Sequence, residues 1–310
     1  MTVDSSIAIQ VSNLTKNYGK LTAVNHISFE VRKGEIYGFL GPNGAGKTTT
    51  VRMLTGVIKK DEGEALVMGY EAGTLKAKQL AGVVPEMANA YVDLSGWKNM
   101  SLMGEIYGIP IKIIKDRSEE LLRKVNLYSR KDEPVRSYSK GMKQRLILVM
   151  ALISNPEILF LDEPTAGLDV QSTRMIRDFL LEVNNDGKTI FLTTHQMEEA
   201  NQLCGRIAII DRGFIVKIDS PERVRNAIRG KHSVEVSFNR MVDDHFLNSV
   251  AGVKSIKKMG DKYRLYTENP GKTVVSLVEQ ISARDLEIVS LNILSPSLED
   301  AFVALTSGGE

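Results

Sequence analysis

The sequence predicts an α/β fold: antiparallel strands, then a doubly wound, largely parallel sheet with a helical region inserted, and last a small α+β domain. Three observations predict it. Strand-like and helical patterns alternate through residues 158–218, as they do where crossover helices join parallel strands. A glycine-rich loop, Gly41-Pro42-Asn43-Gly44-Ala45-Gly46-Lys47-Thr48-Thr49, stands between an apolar run at 36–40 and a helical pattern at 49–54. Beyond about residue 229 the order becomes strand, helix, hairpin, helix, strand, the split βαβ arrangement of ferredoxin-like domains.

A chain of 310 residues has room for about two domains, here 1–225 and 226–310. With 43% hydrophobic and 25% charged residues and a net charge of +2, it has the composition of a globular protein, and nothing calls for nucleic acid. The longest apolar run, 146–153, falls far short of the roughly 18 residues of a membrane span. Residues 1–6 carry Asp4 and no basic, apolar leader, which predicts a cytosolic chain. Cys204 is alone, excluding an internal disulfide, and the four histidines lack zinc-binding spacing.

In order, alternation at Ile7, Ile9 and Val11, resuming at Val24, Ile27, Phe29 and Val31, predicts antiparallel strands ending at Lys33-Gly34-Glu35. After the glycine-rich loop and its helix, 64–68 is strand-like. From 74 to 155 helical periodicity dominates, with Ser95 as an N-cap. A continuous apolar run at 158–161 ends in Asp162-Glu163-Pro164, as a buried parallel strand opening onto a site would. A helix (172–184), a strand (189–193), a helix (196–203) and a hairpin through Asp211-Arg212-Gly213 follow. Only residues 307–310 read as a free tail.

The glycine-rich loop fits the pattern Gly, four residues, Gly-Lys-Thr. Glycines let backbone N–H groups converge on an anion, and the following helix adds its positive end. Lys47 would reach the β- and γ-phosphates of a nucleotide, and the Thr48 hydroxyl would bind Mg²⁺. Asp162 and Glu163 offer two carboxylates with separable jobs: Asp162 holds Mg²⁺ through water, and Glu163 orients the attacking water. Taken alone, such a pair is also an ordinary turn.

At Ser137-Tyr138-Ser139-Lys140-Gly141-Met142-Lys143-Gln144-Arg145 the chain resembles the signature motif of ATP-binding cassette (ABC) proteins, usually Leu-Ser-Gly-Gly-Gln. Ser139 and Gly141 match; Lys140 and Met142 depart, replacing Gly and Gln. The resemblance implies further roles. Tyr18 lies where these proteins set a ring against adenine, though a strand-end core aromatic fits residue type as well. Gly167-Leu168-Asp169 resembles the D-loop, and His195 the switch histidine at the γ-phosphate. Glu86 replaces the usual glutamine; its carboxylate can still ligate Mg²⁺ but adds a negative charge there. Similar proteins hydrolyse ATP as head-to-tail dimers, each nucleotide lying between one subunit's phosphate loop and the other's signature motif. The end of the chain, Pro296-Ser297-Leu298-Glu299-Asp300-Ala301-Phe302, is similar to the extension of exporter ATPase subunits whose permease is a separate chain. The resemblance therefore implies an ATPase, an integral membrane permease as partner, a second ATPase subunit, and a place on the inner face of the membrane through the permease. A soluble ABC ATPase acting on DNA or ribosomes is the alternative. The interval of about 90 residues without sustained heptads and the single cassette speak against it.

Overall fold

Alternating residues build two long strands, β1 (Ile7–Tyr18) and β2 (Leu21–Arg32), which pair antiparallel and bring Tyr18 to the end of β1. With β4 (Glu62–Val67) and β5 (Tyr70–Glu71) they form a four-stranded antiparallel sheet in the order β2-β1-β4-β5. The structure, a computed structural model, describes residues 5–87, 89–226, 232–282, 286–294 and 296–306. Residues 307–310, read as a tail, lie outside them.

The second sheet is mixed, in the order β10-β9-β3-β8-β7-β6. Between the first strands and its edge the chain runs through β3 (Ile36–Leu40), α1 (Lys47–Leu54), α2 (Leu75–Gln79) and β6 (Ala81–Val84). Helices α3 (Gly96–Ile106), α4 (Ile111–Lys124) and α5 (Lys140–Leu152) follow, then β7 (Ile158–Asp162), α6 (Val170–Asn185), β8 (Thr189–Thr194), α7 (Met197–Leu203), β9 (Arg206–Asp211) and β10 (Phe214–Asp219). Strands β3, β7 and β8 are buried along their whole length, the reason their sequences are continuous apolar runs. They pair parallel, β7 with β8 and β8 with β3, and β6 adds parallel to β7. All four therefore end on one edge, and the segments that leave them share it. Phe29 of β2, Tyr37 and Phe39 of β3, and Phe191 of β8 stack with ring centroids 5.5–6.0 Å apart, so both sheets share one core.

Within 74–155, where helical periodicity dominates, strand β6 is not foreseen by that pattern. It is only four residues long, and no glycine, proline or asparagine separates it from α2. Its strand character comes from pairing with β7 rather than from a local pattern.

The chain divides into two units, Met1–Ser220 and Pro221–Glu310, a little ahead of residue 225. The second unit holds α8 (Pro221–Asn226), β11 (His232–Phe238), α9 (Asp244–Ser249), β12 (Val253–Met259), β13 (Lys262–Thr267), α10 (Pro270–Ser282), β14 (Ile288–Leu294) and α11 (Leu298–Thr306). Helix α8 belongs to it because it packs with α11. Its sheet is antiparallel throughout, in the order β12-β13-β11-β14, the first strand lying inside as the split βαβ arrangement requires. Val234, Val236, Phe246, Leu247, Leu265 and Leu277 form its own core. Ser297 and Asp300 exchange capping hydrogen bonds at the start of α11.

Candidate functional site

The loop after β3 turns back on itself through Gly44 (φ 82°) and Gly46 (φ 107°), conformations that residues with a Cβ rarely adopt. At Gly46 space adds to the constraint, since a Cβ there would lie 2.5 Å from the Ala23 carbonyl oxygen of β2. Gly46 caps α1 without a side-chain hydrogen bond, so the first-turn N–H groups stay available to an anion. Lys47 opens the helix and is 6% exposed. Its ammonium bends over the loop, donating to the carbonyls of Gly41 (2.7 Å) and Pro42 (3.2 Å).

Asp162 ends β7, and its Oδ1 accepts from the Thr48 hydroxyl (3.2 Å) and from the buried Thr193 hydroxyl at the end of β8. Glu163 follows with φ 54°, an uncommon conformation held by its N–H, which donates to the Thr193 carbonyl (3.1 Å) and Oγ1 (3.2 Å). Its two carboxylate oxygens have different surroundings. Oε2 lies 2.8 Å from Nδ1 of His195. Oε1 lies 3.3 Å from the Lys47 ammonium and has no hydrogen-bond partner among the described residues.

The glycine-rich loop, Lys47, Thr48, Glu163 and His195 line one cleft of about 470 Å³, the size of a nucleotide site, and Asp162 is tied to it through Thr48. Tyr18, Leu21 and Ala23 form its other wall. Tyr18 is 48% exposed and so is not a core aromatic. His195 is exposed too, turned toward Glu163 rather than inward. Glu86 reaches the same cleft from the end of β6, exposed, with no hydrogen bond to Thr48 or Asp162 among the described contacts. Ala45 and Thr49, also expected at the site, belong to the loop and to the first turn of α1.

Ser139 and Gly141 are not brought to this cleft. Ser139 caps α5, its hydroxyl accepting from the Met142 N–H at 3.2 Å. Gly141 is buried against α6, where a Cβ would lie 2.1 Å from the Ser172 hydroxyl. Lys140, a departure from the usual glycine, donates to the carbonyls of Ala166 and Gly167, both at 3.0 Å. Asp169 caps α6, and hydrogen bonds from the Ser172 backbone and hydroxyl hold its carboxyl below the usual range.

Two contributors escaped the sequence reading. Thr193 had a signal, a polar residue at the end of an otherwise apolar buried strand. Glu199 had none: it looks like one more acid at a helix start, yet it is buried and accepts from Thr165 Oγ1 at 2.7 Å. Cys204 is buried, and burial pushes its thiol pKa far up, so it is a packing group.

Residues 24–166 match the ABC transporter family, and 220–306 match the C-terminal domain of DrrA1-3-like ATP-binding proteins. The chain is 36% identical to the linearmycin resistance ATP-binding protein LnrL of Bacillus subtilis (strain 168), over 96% of this chain and 98% of that protein. It is 35% identical to the Nod factor export ATP-binding protein I of Ralstonia nicotianae, over 98% and 95%. A solved ATP-binding subunit of an ABC transporter covers 71% of this chain and 92% of its own, with a TM-score of 0.65 and 26% identity. Both halves are thus accounted for, the cassette and the domain after it, and the chain belongs to the ATP-binding proteins of ABC transporters.

Proposed function

We propose that this ATPase energises a membrane exporter, working as a head-to-tail dimer against a separate permease. The observation that carries the reading is the placement of Glu163, with one oxygen fixed on His195 and the other ion-paired with the Lys47 ammonium but without a hydrogen-bond partner among the described residues. The loop N–H groups and Lys47 bind the β- and γ-phosphates of ATP. Oε1 of Glu163 orients a water toward the γ-phosphorus and accepts its proton, while His195 keeps the carboxylate in place and reaches the γ-phosphate edge. Tyr18 stacks on the base.

Among the described residues no cluster of three His, Cys, Asp or Glu could hold a metal alone. The Thr48 hydroxyl and Asp162, with Glu86 nearby, are instead the sparse oxygen set that suits Mg²⁺ carried in with phosphates. When bound, Mg²⁺ neutralises charge developing on the phosphates.

Ser139 and the α5 start lie outside their own chain's cleft, which supports a second copy supplying them. No helix among the described residues is long and apolar enough to cross a membrane. A groove of about 510 Å³ edged by the exposed Val57, Leu75, Ile106 and Tyr107 suits an apolar helix of a permease, and Met87, Tyr91 and Val92 are exposed rather than core. Export as the direction is supported by the DrrA1-3-like domain and by the export relative above.

Glu163→Gln tests the reading. The full-length variant should bind Mg-ATP normally, lose about 10²–10⁴-fold in turnover, and run as a dimer on a sizing column. From a membrane fraction it should carry down an integral membrane protein. Normal turnover would remove Glu163 from the chemistry, and ribosomal proteins or nucleic acid in the pull-down would refute the transporter reading.

A further inference from the structure

Beneath the cleft sits a second buried carboxylate with no part in the chemistry above. Glu199, in the first turn of α7, is 6% exposed. Its Oε1 accepts from the Thr165 hydroxyl at 2.7 Å, and its Oε2 has no hydrogen-bond partner among the described residues. Burial raises its pKa, opposed by the hydroxyls of Thr194 and Thr165. An acid at a helix start needs no such burial: the exposed Glu198 beside it stands in the same first turn, and its carboxylate accepts from the Gln202 side chain instead. A desolvated carboxylate kept under a reaction site needs another reason.

The reason lies in what Thr165 belongs to. Glu163 adopts φ 54° at the start of a turn in which its carbonyl accepts from the Ala166 N–H, and that of Thr165 from the Leu168 N–H, both at 3.2 Å. On the other side α7 begins just after His195. The Thr165–Glu199 hydrogen bond therefore joins the turn that carries Glu163 to the helix that follows His195. We propose that Glu199 is a positioning residue for hydrolysis: through Thr165 it pins these two segments together, so that Glu163 and His195 keep their 2.8 Å contact when the cleft is loaded. This rests on Glu163 being the water-orienting group.

The test uses the full chain with Mg-ATP and measures kcat, KM and ATP affinity separately. Thr165→Val deletes the hydroxyl at nearly constant volume and should lower kcat about tenfold, the effect of one buried hydrogen bond, with ATP affinity within about twofold of the parent. Glu199→Gln keeps an acceptor oxygen and should hold kcat within about twofold, whereas Glu199→Leu should match Thr165→Val. Should the leucine variant fail to fold, the threonine variant still decides. Wild-type kcat in Thr165→Val overturns the proposal, as does a loss of the same size in ATP affinity. Glu163→Gln in the same assay separates the two ideas: if it is inactive while Thr165→Val is normal, only the positioning role falls. If it too is normal, the reading of Glu163 falls first.

Discussion

Gly44 and Gly46 both have positive φ, but they differ in what surrounds them, and that difference gives a measurable prediction. Around Gly44 an added Cβ would meet nothing within 4 Å. Gly44→Ala therefore bears only the backbone cost of a left-handed residue, about 1–2 kcal/mol. Gly46→Ala bears a similar cost and also sets a Cβ 2.5 Å from the Ala23 carbonyl oxygen, which belongs to a strand and cannot rotate aside. Forcing β2 and the loop apart adds about 1–3 kcal/mol. The gap between the two variants is then about 2 kcal/mol, or roughly 4–8 °C in melting temperature for a domain this large. Scanning calorimetry on nucleotide-free protein reads the gap directly. ATP titration should show the larger loss in the same variant, because moving the loop from β2 spoils the convergence of its N–H groups. Equal melting temperatures for the two variants would refute the reasoning, since the close approach to Ala23 would then bear no load.

The other predictions concern single side chains. Tyr18→Ala should weaken ATP binding about tenfold by calorimetric titration, with turnover at saturating ATP unchanged; equal affinity would mean the ring does not stack on the base. Glu199 gives a pH dependence. Its folded-state pKa is raised by burial, so the stability it contributes is fully present below the ordinary carboxylate range and is lost as pH rises through the folded value. Glu199→Gln has no such loss, so its denaturation midpoint should gain on wild type as pH rises above the ordinary carboxylate range, and a constant difference would exclude the titration.

What the sequence made legible follows from the sheet. The strands β3, β7 and β8 are buried on both faces, so each appears as an uninterrupted apolar run, and the polar residues that end the runs stand out. Parallel pairing then brings Lys47, Asp162, Glu163 and His195 to one edge, where Lys47, Glu163 and His195 line one cleft. Strand β6 stayed hidden because its four residues carry no period of their own and become a strand by pairing with β7. Tyr18 could be read two ways because residue type does not report exposure, which depends here on where β1 stops.

Lys140 shows why a motif departure is harder to read than a motif match. The matches here answer local backbone needs: a hydroxyl at the α5 cap, and a residue without Cβ where α5 meets Ser172. The departure has its cause elsewhere in the chain, in the carbonyls of Ala166 and Gly167, to which Lys140 donates across the start of α6. Those carbonyls belong to the turn that Glu199 holds from its buried side through Thr165. One short turn after Glu163 is thus held by a side chain from the signature helix and by another from the helix behind His195. A change at either helix start is therefore expected to reach Glu163 through this turn, although neither Lys140 nor Glu199 lines the cleft.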